Sequence, residues 1–266
     1  MNQEASGKRP PVTIVTGAAS GIGRAVAAYL GSQGHTVLIA DLNGDQAAAV
    51  SREIPGSHYS ALDVTDLDEC ERLVQRWAAE GLIPTGLVNC AGIRTHVMTI
   101  DGNMDHWRRT IDVNLLGTYA MCVAVAKQMI PHDGGNIVNI ASTRANLPGP
   151  GRAAYSVSKA GVVMLTRCLA LEWAAYGIRV NSVSPGYIRT PINVHAFEDP
   201  EYERSVFEQT PLRRSGEAVE VARGIEFLLS DASSYITGHD LVIDGGNLAG
   251  DPRLPVPPGH GEPAPV

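Results

Sequence analysis

Thr16-Gly17-Ala18-Ala19-Ser20-Gly21-Ile22-Gly23 stands between an apolar run, Val12 to Thr16, and a segment, Ile22 to Leu30, whose apolar residues recur at helical spacing. Glycines at such a strand-to-helix turn let main chain approach a phosphate closely. The helix that follows offers unpaired N–H groups and the positive end of its dipole. The stretch reads as a βα unit carrying a nucleotide site. Its spacing departs from G-x-G-x-x-G, so the rest of the chain has to supply the context.

The same rhythm continues on the C-terminal side. Strands are expected at Thr36 to Ala40, Tyr59 to Leu62, Gly86 to Asn89, Asn136 to Ala141, Ile178 to Ser184 and Asp240 to Ile243. Helices are expected at Gln46 to Ile54, Leu67 to Ala79, Met104 to Ile130, Ala153 to Ala175 and Glu217 to Leu229. Alternation of this kind implies parallel strands joined by right-handed crossovers, with helices on both faces. The expected fold is therefore α/β, a doubly wound seven-stranded parallel sheet (Rossmann fold) in a single domain over residues 11–249. Residues 1–10 read as a flexible N-terminus, the irregular 191–216 stretch as a lid, and the proline-crowded 250–266 segment as an extended tail.

Composition narrows the function classes. Of the 266 residues 44% are hydrophobic and 18% charged, which suits a packed globular core. A formal charge of -7 supplies no basic stripe for nucleic acid, so none is expected as a partner. Cys70, Cys90, Cys122 and Cys168 form no C-x-x-C pair, and the histidines include no H-E-x-x-H, so no metal site is expected. Residues 1–11 lack the apolar stretch of a signal peptide, and no run reads as a membrane span. A cytoplasmic protein without membrane partners is the expectation.

Two constellations point to chemistry. Asp41 closes the second strand 18 residues beyond Gly23, where a carboxylate can accept hydrogen bonds from an adenosine ribose. With Ser20 and Leu42 rather than a cation beside it, it would repel a 2′-phosphate, which favours NAD over NADP. Tyr155 and Lys159 lie four residues apart and so share a helix face. A free phenol has a pKa of about 10. The ammonium is expected to lower that of Tyr155 and let it accept an alcohol proton. Ser142 follows the fifth strand at the carboxyl edge, where its hydroxyl can hold a substrate oxygen.

Taken together, the turn, these residues and the segments between them resemble the short-chain dehydrogenase/reductase family over residues 10–247. The turn is similar to its T-G-x-x-x-G-x-G motif, Asp63-Val64 to its adenine contact, and Asn89-Cys90-Ala91-Gly92 to its N-N-A-G segment, with Cys90 in place of the second Asn. Asn114 resembles the helix-four asparagine, which implies a water held for a proton relay to Lys159. Ser184-Pro185-Gly186-Tyr187-Ile188-Arg189-Thr190 looks like the segment whose isoleucine main chain and threonine hydroxyl hold the nicotinamide amide. The resemblance implies an NAD-dependent oxidoreductase that interconverts a secondary alcohol and its ketone, with Tyr155 as acid/base beside Asn114, Ser142 and Lys159. It implies cofactor contacts at Gly17, Ser20, Gly21, Ile22, Asp41, Leu42, Asp63, Val64, Asn89, Ala91, Gly92, Tyr155, Lys159, Pro185, Gly186, Ile188 and Thr190. The alternatives are an NADP-linked carbonyl or acyl-carrier reductase and a noncatalytic NAD-binding regulator.

Arg94, His96, Arg144, Asn146, Arg152 and Tyr187 fall on the loops expected to line a small-molecule substrate pocket. The arginines suit a carboxylate, phosphate or sulfonate, while polyols and sugars remain open. Ala154, Val157, Gly161, Val162, Leu165, Leu169 and Trp173 exceed what one sheet face needs to cover. A homo-oligomer is expected, and the resemblance implies a tetramer.

Overall fold

In the computed structural model, which describes residues 10–102, 104–191 and 194–252, apolar β-branched runs form the centre of a parallel sheet. Its first six strands are β1 (Val12–Thr16), β2 (Thr36–Asp41), β3 (His58–Ala61), β4 (Gly86–Asn89), β5 (Gly135–Ile140) and β6 (Ile178–Pro185). A short parallel pair follows, β7 (Ile188–Arg189) with β8 (Gly216–Glu217), and β9 (Asp240–Ile243) completes the main sheet. The seven strands run in the order β3-β2-β1-β4-β5-β6-β9, all parallel. The chain thus reverses direction across the sheet between β1 and β4. Doubly wound sheets open a ligand crevice at that switch point, outside the strand C-termini.

Strand alternation divides the core in two. Ile14, Leu38, Leu87 and Ile137 face one layer, with α3 (Leu67–Ala79), α5 (Gly117–Met129) and α6 (Ala153–Trp173). Val15, Ile39, Val88 and Val138 face the other, with α1 (Gly21–Ser32), α2 (Gly44–Glu53) and α8 (Ala218–Leu229). The seven-stranded sheet and single domain expected from sequence are present.

Two expectations need correction. The helix expected over Met104 to Ile130 is α4 (Met104–Ile111) joined to α5 by a five-residue π-helical segment, Asp112–Leu116. That run is also long and apolar enough to cross a membrane, contrary to the sequence reading. Met121, Cys122, Val125 and Met129 are nevertheless fully buried in the core, which makes it an interior helix. The lid stretch, read as irregular or briefly helical, contains a 3₁₀ turn at Val194–Glu198 and α7 (Pro200–Gln209), capped by Asp199, whose side chain accepts from the Glu201 N–H. The expected N-terminal extension and proline-rich tail lie almost wholly outside the described residues.

The apolar surplus on α6 is also differently placed. Ala154, Val162 and Leu169 are buried, and Leu165 and Trp173 pack on the core. Gly161 faces Leu115, which stands 2.9 Å from where a Cβ would sit. What remains outside is the i, i+7, i+14 stripe Val157, Met164 and Leu171.

Candidate active site

A cavity of about 830 Å³ opens along the C-terminal ends of β1, β2, β4, β5 and β6. Its floor at one end is the glycine turn. Gly17 has φ +61°, and a Cβ there would lie 2.7 Å from the Ala91 Cα, so the turn packs main chain to main chain against the loop after β4. A Cβ on Gly23 would run into the Gly17 carbonyl. The helix α1 starts bare: Ser20 makes no side-chain cap, and no acidic residue lies in the first turn. A row of main-chain N–H groups thus faces a cavity that no side chain fills. A pyrophosphate fits that cradle.

Asp41 is anchored beside it, accepting from the main-chain N–H of Ala19 and of Asn43, both at 2.9 Å. Its position on the cavity wall is set by main chain, so the negative charge cannot swing away. Leu42, Asp63, Val64, Ala91 and Gly92 continue the wall, and Pro185, Gly186, Ile188 and Thr190 line the far side.

Tyr155 and Lys159 project from the first turns of α6, and Ser142 from the end of β5. Burial pushes the Tyr155 phenol above its ordinary value. The nearby Ser142 hydroxyl and the charges of Arg94, Arg152 and Arg144 pull it back in part. The sequence reading gave that pull to Lys159, whose ammonium also stands over the ring. The Lys159 Nζ is 5.9 Å from the centre of the Tyr155 ring and donates to the Ile140 carbonyl at 2.7 Å. Burial lowers this ammonium to about 8. In the protein without cofactor, the arginines that line the cavity therefore also favour the phenolate.

Asn114 lies behind the wall rather than on it. Its side chain accepts from the Ile93 N–H at 2.8 Å and donates to the Ile93 carbonyl and to Ser158 Oγ, both at 3.0 Å. It pins the loop after β4 to α6 under Gly92. Asn89, to which the resemblance gives a sheet-stabilising role as well as a cofactor contact, turns into the core: its Nδ2 donates to Asn139 Oδ1 at 2.9 Å, linking β4 to β5. Cys90 does line the cavity, where burial pushes its thiol up to about 12.

Of the expected substrate residues, Arg94, Arg144, Arg152 and Tyr187 line the cavity. Arg144 donates to the Tyr187 hydroxyl at 2.8 Å and to the Leu147 carbonyl at 3.1 Å. His96 and Asn146 are not on the wall; the His96 ring is turned against Gly151. The sequence reading missed Asp105, Arg108, Arg109 and Asp112, which line the cavity from α4 and the π segment. Their i, i+3, i+4, i+7 spacing was the available signal. It also missed Tyr202 of α7, whose ring meets Phe197 edge-on at 5.4 Å.

A family model described as enoyl-(acyl carrier protein) reductase matches residues 17–247. D-threitol dehydrogenase of Mycolicibacterium smegmatis is 38% identical over 240 residues, 88% of this chain and 92% of that protein. The 3-oxoacyl-(acyl-carrier-protein) reductase of Thermotoga maritima is 38% identical over 241 residues, 88% of this chain and 96% of that one. Among solved structures, gluconate 5-dehydrogenase of Burkholderia cenocepacia, in complex with NADP and tartrate, superposes with a TM-score of 0.87 at 31% identity, covering 90% of this chain and 96% of the other.

Proposed function

The chain belongs to the short-chain dehydrogenase/reductase family and is an oxidoreductase acting on CH–OH groups; from that premise we propose that it interconverts a secondary alcohol and its ketone with NAD, Tyr155 serving as the acid/base. The observation that carries the reading is the convergence of Ser142, at the end of β5, and Tyr155, one α6 turn before Lys159, on one cavity. NAD, when bound, supplies the hydride acceptor. Ser142 would hold the substrate oxygen and Tyr155 would take its proton in the oxidative direction or return it in the reverse. Lys159, already donating to a main-chain carbonyl, is placed to hold a ribose hydroxyl. Asn114 keeps the Ile93 loop and α6 in register beneath them, and its part in a proton relay is proposed on the resemblance alone.

The preference for NAD rests on Asp41, a carboxylate fixed by two main-chain N–H groups where a 2′-phosphate would sit. Likeness to the Thermotoga reductase and to the NADP-bound Burkholderia enzyme favours the alternative of an NADP-linked carbonyl reductase. A substrate panel run with each cofactor and followed by nicotinamide absorbance tests both. The exposed Val157, Met164 and Leu171 stripe, with Leu116 and Tyr119 on the neighbouring run, supports a homo-oligomer, a tetramer by the resemblance. Static light scattering checks it, and a cytoplasmic location belongs to the same reading. The 191–216 segment is proposed as the substrate lid, since Tyr202 reaches the cavity and Arg189 ties β7 to α7 through Glu203 at 2.8 Å.

A further inference from the structure

We propose that the secondary alcohol taken by this site carries an anionic group, a carboxylate or a phosphate, close to its carbinol carbon, and that Arg94, Arg144 and Arg152 hold that group. The inference rests on the Tyr155 assignment above and adds the substrate class to it.

The three arginines come from two loops, Arg94 from one and Arg144 and Arg152 from opposite ends of the β5–α6 connection. Arg94 follows β4, Arg144 sits in the turn after β5, and Arg152 immediately precedes α6. Folding brings them to the same cavity wall as Tyr155. Among the described residues none of the three has a carboxylate within ion-pair distance. This is unlike Arg24, Arg189 and Arg214, which pair with Glu53, Glu203 and Glu220. Arg144 is positioned but not neutralised: a phenol and a carbonyl hold its guanidinium, whose centre lies 5.6 Å from the Tyr187 ring centre.

Arg152 is the more telling case. It occupies the N-cap of α6, makes no side-chain cap, and no acidic residue follows in the first turn. A cation at the positive end of a helix dipole is electrostatically opposed, where an anion would be favoured. Burial first, and then the charges of Arg94 and Arg144, hold its guanidinium below the ordinary value. Three mutually repelling cations beside a reacting hydroxyl are relieved by an anion, and guanidinium forks match carboxylate or phosphate oxygens two at a time. A neutral polyol relieves none of that repulsion.

The test uses threitol, threonate and tartrate, four-carbon compounds that share a 2,3-diol and carry no, one and two terminal carboxylates, and inorganic phosphate as the arm that separates phosphate from carboxylate recognition. Binding to the full-length protein is measured by titration calorimetry with and without saturating NAD. Tartrate is expected to bind at least about tenfold tighter than threitol, with threonate between them. Arg94→Gln and Arg152→Gln should each weaken tartrate by about tenfold, and Arg94→Lys should recover part of the loss. Phosphate binding tighter than tartrate, with the same dependence on the arginines, would assign the subsite to phosphorylated alcohols. Equal affinities for threitol and tartrate, no saturable binding of either anion, or tartrate affinity unchanged in both glutamine variants would overturn the inference. Tyr155→Phe separates the two readings, since it should keep tartrate binding while losing turnover. Tyr155-dependent oxidation of a neutral alcohol without anion binding would sink the anionic subsite and leave the acid/base assignment standing.

Discussion

At the Gly17–Gly23 end of the cavity, main chain meets main chain, because Gly17 and Gly23 leave no room for a Cβ against Ala91 and against each other. At the Arg94, Arg144 and Arg152 end, long side chains line the cavity from loops, and among the described residues only Arg144 has its guanidinium tied. The first wall is specified by missing atoms and the second by added ones. A steric site of the first kind cannot be repaired by a neighbouring rotamer, since carbonyls and Cα atoms are what would clash. A charged wall can be retuned one residue at a time while the sheet beneath it stays put. One scaffold can thus keep a fixed nucleotide cradle beside a changeable substrate face.

The largest expected effect lies where the two walls meet. Tyr155→Phe keeps the ring and removes the proton-transferring group, so turnover should fall by about 10²-fold or more, with NAD affinity by fluorescence quenching unchanged. Near-normal turnover would mean that the chemistry is not housed between the walls. Next, Gly23→Ala places a methyl group against the Gly17 carbonyl and should destabilise the fold by about 1–3 kcal/mol while weakening NAD. Arg94→Gln, on the other wall, should stay within about 0.5 kcal/mol of wild type in denaturant melts. Similar losses from both would erase the proposed contrast.

Cofactor choice tests the fixed wall more gently. NAD should be preferred over NADP by about tenfold in kcat/KM, a difference of about 1.4 kcal/mol, and Asp41→Asn should narrow it. Equal efficiencies in the wild type would remove the role given to the anchored carboxylate.

The smallest effect concerns Lys159, buried between the walls. Its folded-state pKa of about 8 lies below the ordinary 10.5. Between those values the unfolded chain holds more protons than the folded one, so stability rises with pH across that window and the burden is full below it. In the cofactor-free protein at pH 7, Lys159→Met should therefore gain on the order of 1 kcal/mol, a Tm rise of about 2–4 °C. The gain should shrink as pH rises from about 8 towards 10.5. Calorimetric melts across that range check it, and a lower Tm at pH 7 would show that the bond to Ile140 outweighs the desolvation.

Much of this was legible in the chain because it is written locally. The glycine turn, Asp41 at a strand end and the Tyr155–Lys159 spacing each depend on a few consecutive residues and one period. The misses share a different cause. Asn89 could face either the cofactor or the core, and only its pairing with Asn139 on the next strand decides. Arg94 is far in sequence from Arg144 and Arg152, so the combined effect of the three on Tyr155 exists only after the loops converge. The α7 helix was announced by Asp199-Pro200 and by Glu201 and Glu203, a good start signal. It carries too few apolar residues for its period to stand out, and of them only Val206 is buried.

The π segment Asp112–Leu116 sets a phase between two halves of one helical rod. Side chains advance about 100° per residue along a regular helix, so one residue more or fewer in that turn rotates everything beyond it by that angle. As built, Asp105, Arg108, Arg109 and Asp112 look into the cavity while Met121, Val125 and Met129 look into the core. Substitutions along the rod can be absorbed singly. A one-residue deletion within 112–116 cannot, because keeping the core face in place would swing the arginines off the cavity, and keeping the arginines would turn the core face to water. Length in this short turn is thus a coordinate of the site, one that ties the charge on the cavity wall to the packing beneath it.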